Sequence, residues 1–143
     1  MERTGNDVDA FLAGLPEARR DDMLALDQLI RKHLGSRERE LWEGVFWGGT
    51  EQQIIGYARI EQPRPKGGAI EWFLLGLALQ KEHLSLSVNA VADGAYLTKA
   101  YASRLGKARV GAAAVTISRL DAVDLEGLEG LEAMIAEAFA TLE

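Results

Sequence analysis

The sequence predicts an α+β fold, an antiparallel sheet of about four to five strands packed against N-terminal and C-terminal helices. Three observations predict it. Apolar residues near both ends of the chain recur every three to four positions, the helical period. From Glu40 to Val91 the period falls toward two, the mark of strands with one buried face. The connection Gln80–His83 is also too short for a parallel crossover, which needs a dozen or more residues.

Val8, Phe11, Leu12 and Leu15 line one face of a first helix that Asn6 or Asp7 can cap. Gly14-Leu15-Pro16 then breaks the chain, and proline suits the first turn of the next helix. Met23, Leu26, Ile30 and Leu34 give that second helix its apolar stripe. Arg31, Lys32 and His33 sit near its negative end and Gly35 is placed as a left-handed stop. Ile54 to Ile60 and Ile70 to Leu79 read as strands, separated by Gln62 to Gly68, where two prolines and two glycines oppose regular pairing. In the next strand Leu84, Leu86 and Val88 alternate with Ser85, Ser87 and Asn89. Asp93 is the expected cap of a third helix carrying Leu97, Ala100, Tyr101 and Leu105, closed by Gly106. A final strand falls within Arg109 to Ser118. Asp124 precedes a last helix with Leu128, Leu131, Ile135 and Phe139, whose first turns Gly127 and Gly130 weaken by about 1 kcal/mol each relative to alanine.

The 143 residues fit one domain, 1–143, with no internal repeat and no linker of distinct composition. A formal net charge of −6 argues against a general nucleic-acid binder, which needs a basic face. The absence of cysteine excludes thiol catalysis, disulfides and thiolate metal sites. The polar start of the chain and the lack of a run near the ~20 apolar residues of a membrane helix predict a soluble, cytoplasmic protein without a membrane partner. No phosphate-loop or dinucleotide fingerprint implies a cofactor, and no G-x-S-x-G elbow or paired-histidine spacing marks a catalytic centre. The sequence therefore points to a non-enzymatic domain.

Binding chemistry is better represented. Between Gly94 and Arg119 there is no acidic residue, while Lys99, Arg104, Lys107, Arg109 and Arg119 are cationic, a composition suited to an anion. The same cations also complement the negative end of the third helix. Trp42, Trp47, Trp72, Tyr57, Phe73, Tyr96 and Tyr101 are available to a core or to an aromatic ligand, and Trp47 precedes Gly48-Gly49-Thr50, where the sequence predicts a loop able to cover a pocket. Asp7, Asp9, Asp21 and Asp22 supply oxygen ligands for a carboxylate patch suited to a hard cation. A sheet edge is free to pair with a second copy as a homo-oligomer.

Val8-Asp9-Ala10-Phe11-Leu12, Trp72-Phe73-Leu74-Leu75-Gly76-Leu77-Ala78-Leu79-Gln80-Lys81 and Tyr101-Ala102-Ser103-Arg104-Leu105-Gly106-Lys107 resemble the YdhG-like family of domains of unknown function. The resemblance spans nearly the whole chain and implies a compact α+β domain. Some members are described as frataxin-like intracellular iron chaperones, which makes iron on the aspartate patch the alternative function that the resemblance implies. Lys81, Arg104 and Lys107 match the family pattern. The family's G-K-x-x-I-R-F strand is absent, since Ala112 and Thr116 stand where lysine and arginine are expected, and its G-M-P-x-F segment survives only as Gly44-Val45-Phe46-Trp47. The combined expectation is a small anionic or aromatic ligand held by Trp47, Lys81, Tyr96, Arg104 and Lys107.

Overall fold

The computed structural model describes residues 2–45, 51–63, 67–80, 83–106 and 108–142. In chain order these form β1 (Glu2–Thr4), α1 (Val8–Ala13), α2 (Glu17–Leu34), β2 (Arg39–Val45), β3 (Glu51–Pro63), β4 (Ala69–Leu79), β5 (Leu84–Val88), β6 (Val91–Ala92), β7 (Ala95–Tyr96), α3 (Leu97–Tyr101), β8 (Arg109–Val110), β9 (Ala114–Ile117) and α4 (Leu125–Ala140). The main sheet has seven strands in the order β1-β2-β3-β4-β5-β9-β8, every pair antiparallel; β6 and β7 form a separate hairpin. The α+β class is as expected, but the strand count exceeds four to five. The extra strands β1 and β8 are edge pieces of three and two residues, too short to carry a period.

Helix limits follow local chemistry. Asp7 accepts the Asp9 backbone N–H at 2.9 Å to cap α1, and Gly35 leaves α2 at φ 69°. Asp124 caps α4 by accepting from Gly127 N–H at 2.8 Å. Although Gly127 and Gly130 weaken its first turns, α4 is continuous from Leu125, and both glycines face a close neighbour described below. The Pro-containing segment also pairs further than predicted: Gln62 opposes Ile70 and Pro63 opposes Ala69 at the open end of the β3–β4 ribbon.

Met23, Leu26 and Ile30 of α2 and Leu131, Met134 and Ile135 of α4 pack against Leu41, Ile55, Leu75, Leu77, Leu86 and Val115 of the sheet. On the opposite face Trp42, Ile54, Trp72, Phe73 and Ala78 form a second, smaller core. Burial on both faces explains why β4 is apolar almost throughout rather than alternating. Gly56 and Gly76 are direct cross-strand partners, and the rings of Trp42 and Phe73 occupy the space that their side chains would fill. A Cβ at Gly56 would stand 2.6 Å from Trp42 Nε1. Trp42 meets Trp72 edge-on at 5.3 Å, and Trp72 stacks on Phe73 at 4.5 Å.

A polar network ties both N-terminal helices to the sheet. Asp27, 2% exposed on α2, accepts two bonds of 3.0 Å from Arg39 Nη1 and one of 2.7 Å from the Tyr57 hydroxyl. Arg39 Nη2 reaches Asp9 of α1 at 2.5 Å. Complete pairing is what makes a buried carboxylate tolerable. Burial, and then the adjacent Asp27 charge, push the Tyr57 phenol well above its ordinary range, so it remains a donor.

Candidate functional site

Two of the five predicted ligand-binding residues, Tyr96 and Arg104, line one cleft of about 630 Å³. Trp47, Lys81 and Lys107 lie outside the described residues. The cleft is formed by the β6–β7 hairpin, α3, the following turn and α4, and Asp93, Lys99, Tyr101 and Glu137 complete its polar lining.

The hairpin arises from an Asp-Gly turn. Val91 pairs with Tyr96 and Ala92 with Ala95, so Asp93 and Gly94 are the two loop residues, at φ 54° and 79°. Positive φ at both positions is the two-residue turn that matches strand twist, and Asp-Gly is among its preferred sequences. Asp93 is therefore a turn residue and not the cap of α3. The helix itself is shorter than expected, five residues, and continues as a 3₁₀ turn over Ala102–Arg104. Its backbone is anchored by Leu97 N–H to the Ala90 carbonyl at 3.1 Å, and by the buried Thr98 hydroxyl, which donates to the Ala112 carbonyl at 2.7 Å.

The position of Arg104 is set by α4. A Cβ on Gly130 would overlap the Arg104 carbonyl, and one on Gly127 would lie 3.1 Å from the Leu105 carbonyl. The two glycines thus open a notch into which the backbone of the turn fits. Gly106, at φ 61°, lets the chain leave that notch beside Asp124. These glycines, which weaken a helix by local propensity, are retained by tertiary contact.

Within the cleft the Arg104 guanidinium lies 4.8 Å from the centre of the Tyr101 ring. Tyr101 donates its hydroxyl to Glu137 Oε1 at 3.1 Å. Burial, and then that hydrogen bond, raise the Tyr101 pKa above its ordinary value, so the phenol is neutral and oriented at physiological pH. Lys99 and Arg104 are exposed, and among the described residues neither forms an ion pair. Tyr96 is half-buried beside them. The arrangement offers two available cations, aromatic edges and a fixed acceptor at Glu137, chemistry suited to an anionic group attached to a flat body.

Other sequence candidates separate from this cleft. Arg119 pairs with Asp121 at 3.0 Å, and Arg109 is on the edge strand β8. Three of the four aspartates proposed for a cation have partners: Asp7 caps α1, Asp9 holds Arg39, and Asp22 accepts the Leu120 N–H at 3.0 Å. Among the described residues no group of three or more metal-ligating side chains gathers in one place. His33 Nε2 lies 3.8 Å from Glu132, whereas His83 lines a different depression with Phe11, Leu15 and Glu43. Glu137 carries no sequence signal of its role. It is 36 residues from Tyr101 and nothing local announces the contact.

No family model, curated protein or solved structure matches this chain. Among the described residues no helix is long and apolar enough to cross a membrane.

Proposed function

We propose that the protein is a non-enzymatic binding protein for a small aromatic anion, a carboxylate or phosphate ester, held in the cleft between the β6–β7 hairpin and α4. The observation that carries this reading is the pair of exposed cations Lys99 and Arg104, neither in an ion pair among the described residues, that line a single concavity with Tyr96. Arg104 binds the anion in bidentate fashion, a geometry its planar guanidinium favours. Tyr96 lies against the ring. Tyr101 fixes Arg104 from below and is itself engaged by Glu137, so it contributes orientation rather than proton transfer.

Differential scanning fluorimetry with phenyl phosphate tests the reading. A ligand that binds only the native state raises its stability by mass action. The expected result is a concentration-dependent rise in Tm for the wild-type chain, smaller with inorganic phosphate, and lost in Arg104→Ala. Equal rises in both proteins, or none in either, contradict it.

A further inference from the structure

A second cavity, of about 290 Å³, lies apart from the anion cleft and is lined by Trp72, Ser85, Ser87, Asn89 and Ala112 to Ala114. Strand register explains its place. Gly56, Gly76, Ser87 and Ala114 are successive cross-strand partners over β3, β4, β5 and β9, so a row of small side chains crosses the sheet. At the glycine end the rings of Trp42 and Phe73 fill the row. At the Ser87 and Ala114 end Trp72 forms one wall, three alanines supply only methyl groups, and a cavity remains.

Its chemistry differs from that of the cleft, because among the described residues no ionisable side chain lines it. Asn89 is 9% exposed and its Nδ2 donates to the Phe73 carbonyl at 2.8 Å, which fixes the amide and leaves Oδ1 as an acceptor with no partner among the described residues. The hydroxyls of Ser85 and Ser87 likewise make no hydrogen bond among the described residues. An acceptor that no protein donor engages is free to take an N–H from a bound molecule. The volume falls just below the range of drug-sized pockets, which suits one or two fused rings.

We propose that this cavity is a second ligand site, for a small, flat, uncharged heteroaromatic molecule that lies against Trp72 and donates an N–H to Asn89 Oδ1. The ligand ring extends the row formed by Trp42, Phe73 and Trp72. The anion cleft has no part in this site, so either proposal can fail without the other.

Titration of the isotope-labelled full chain with indole, and with benzofuran as the shape match lacking the N–H, provides the test. The expected result is saturable amide shifts at Ser85, Ser87 and Ala114 with indole, and affinity about fivefold weaker for benzofuran, the worth of one hydrogen bond. Ala113→Leu and Ser87→Val, which add bulk to residues lining the cavity, each lower indole affinity at least tenfold. A thermal melt confirms that the variant compared is folded, and either one suffices. Absence of saturable shifts at these strands, equal binding of benzofuran, or undiminished affinity in a folded cavity-filling variant overturns the proposal.

Discussion

Gly130 of α4 lies directly against the backbone carbonyl of Arg104, with no room for a Cβ between them. The contact joins the last helix to the turn that carries the cleft's principal cation. Substituting alanine gains about 1 kcal/mol of helix propensity. Overpacking against backbone, which cannot swing aside, costs about 1–3 kcal/mol or more. Gly130→Ala is therefore expected to lose stability in urea unfolding and to weaken phenyl phosphate binding. A more stable variant would show that the turn is not seated in the notch.

The Asp27–Arg39–Tyr57 network predicts unequal costs for its members. Arg39→Met strips the buried Asp27 carboxylate of its two hydrogen bonds from arginine, leaving only the Arg31 cation at 3.9 Å, and is expected to cost about 3–5 kcal/mol. Tyr57→Phe removes one hydrogen bond to a charged acceptor and is expected to cost about 1.5–3 kcal/mol. Denaturant midpoints at constant m-value rank the two, and the reverse order would contradict the network.

Acid and alkali are expected to destabilise the fold through different groups. Hydrogen bonds from Arg39, Arg59 and Lys32 lower the pKa of Asp9, Glu40 and Glu132 below the ordinary 3.8, 4.5 and 4.5. Their contribution is complete above those values and is lost as pH falls through the lowered ones. Tyr57 has the opposite sign. Its folded pKa lies above the ordinary 10.0, so its contribution is complete below that value and declines as pH rises past it. Stability measured against pH is expected to fall at both ends, and Tyr57→Phe to flatten only the alkaline side.

Gly56→Ala and Gly76→Ala are each expected to cost about 1–3 kcal/mol, because the new methyl meets Trp42 or Phe73. Displacing the rings changes tryptophan emission as well. Near-native emission and stability in either variant would mean that the rings do not cover the paired glycines.

Much of the fold is legible in local patterns. The α2 stripe of Met23, Leu26 and Ile30, the alternation Leu84, Leu86, Val88, and the caps Asp7 and Asp124 appear where their spacing places them. Asp93-Gly94 carried an equally local signal, since an Asp-Gly pair between short β-forming segments marks a hairpin. A capping role for Asp93 competes with it, and the pairing of Val91 with Tyr96 decides. What local patterns omit is long-range. The weak helix formers Gly127 and Gly130 become necessary only when Leu105 and Arg104 approach, and Glu137 acquires a role only beside Tyr101. Of the candidate site, Tyr96 and Arg104 come together in one cleft, and the basic composition around them is legible in the sequence.

The most direct test of the account is residue-resolved: backbone amide shifts of the labelled chain titrated with phenyl phosphate. Saturable shifts concentrated at Tyr96, Lys99 and Arg104, absent in Arg104→Ala, are the predicted result. Saturable shifts centred on another part of the molecule, or none at accessible concentrations, would contradict the anion cleft.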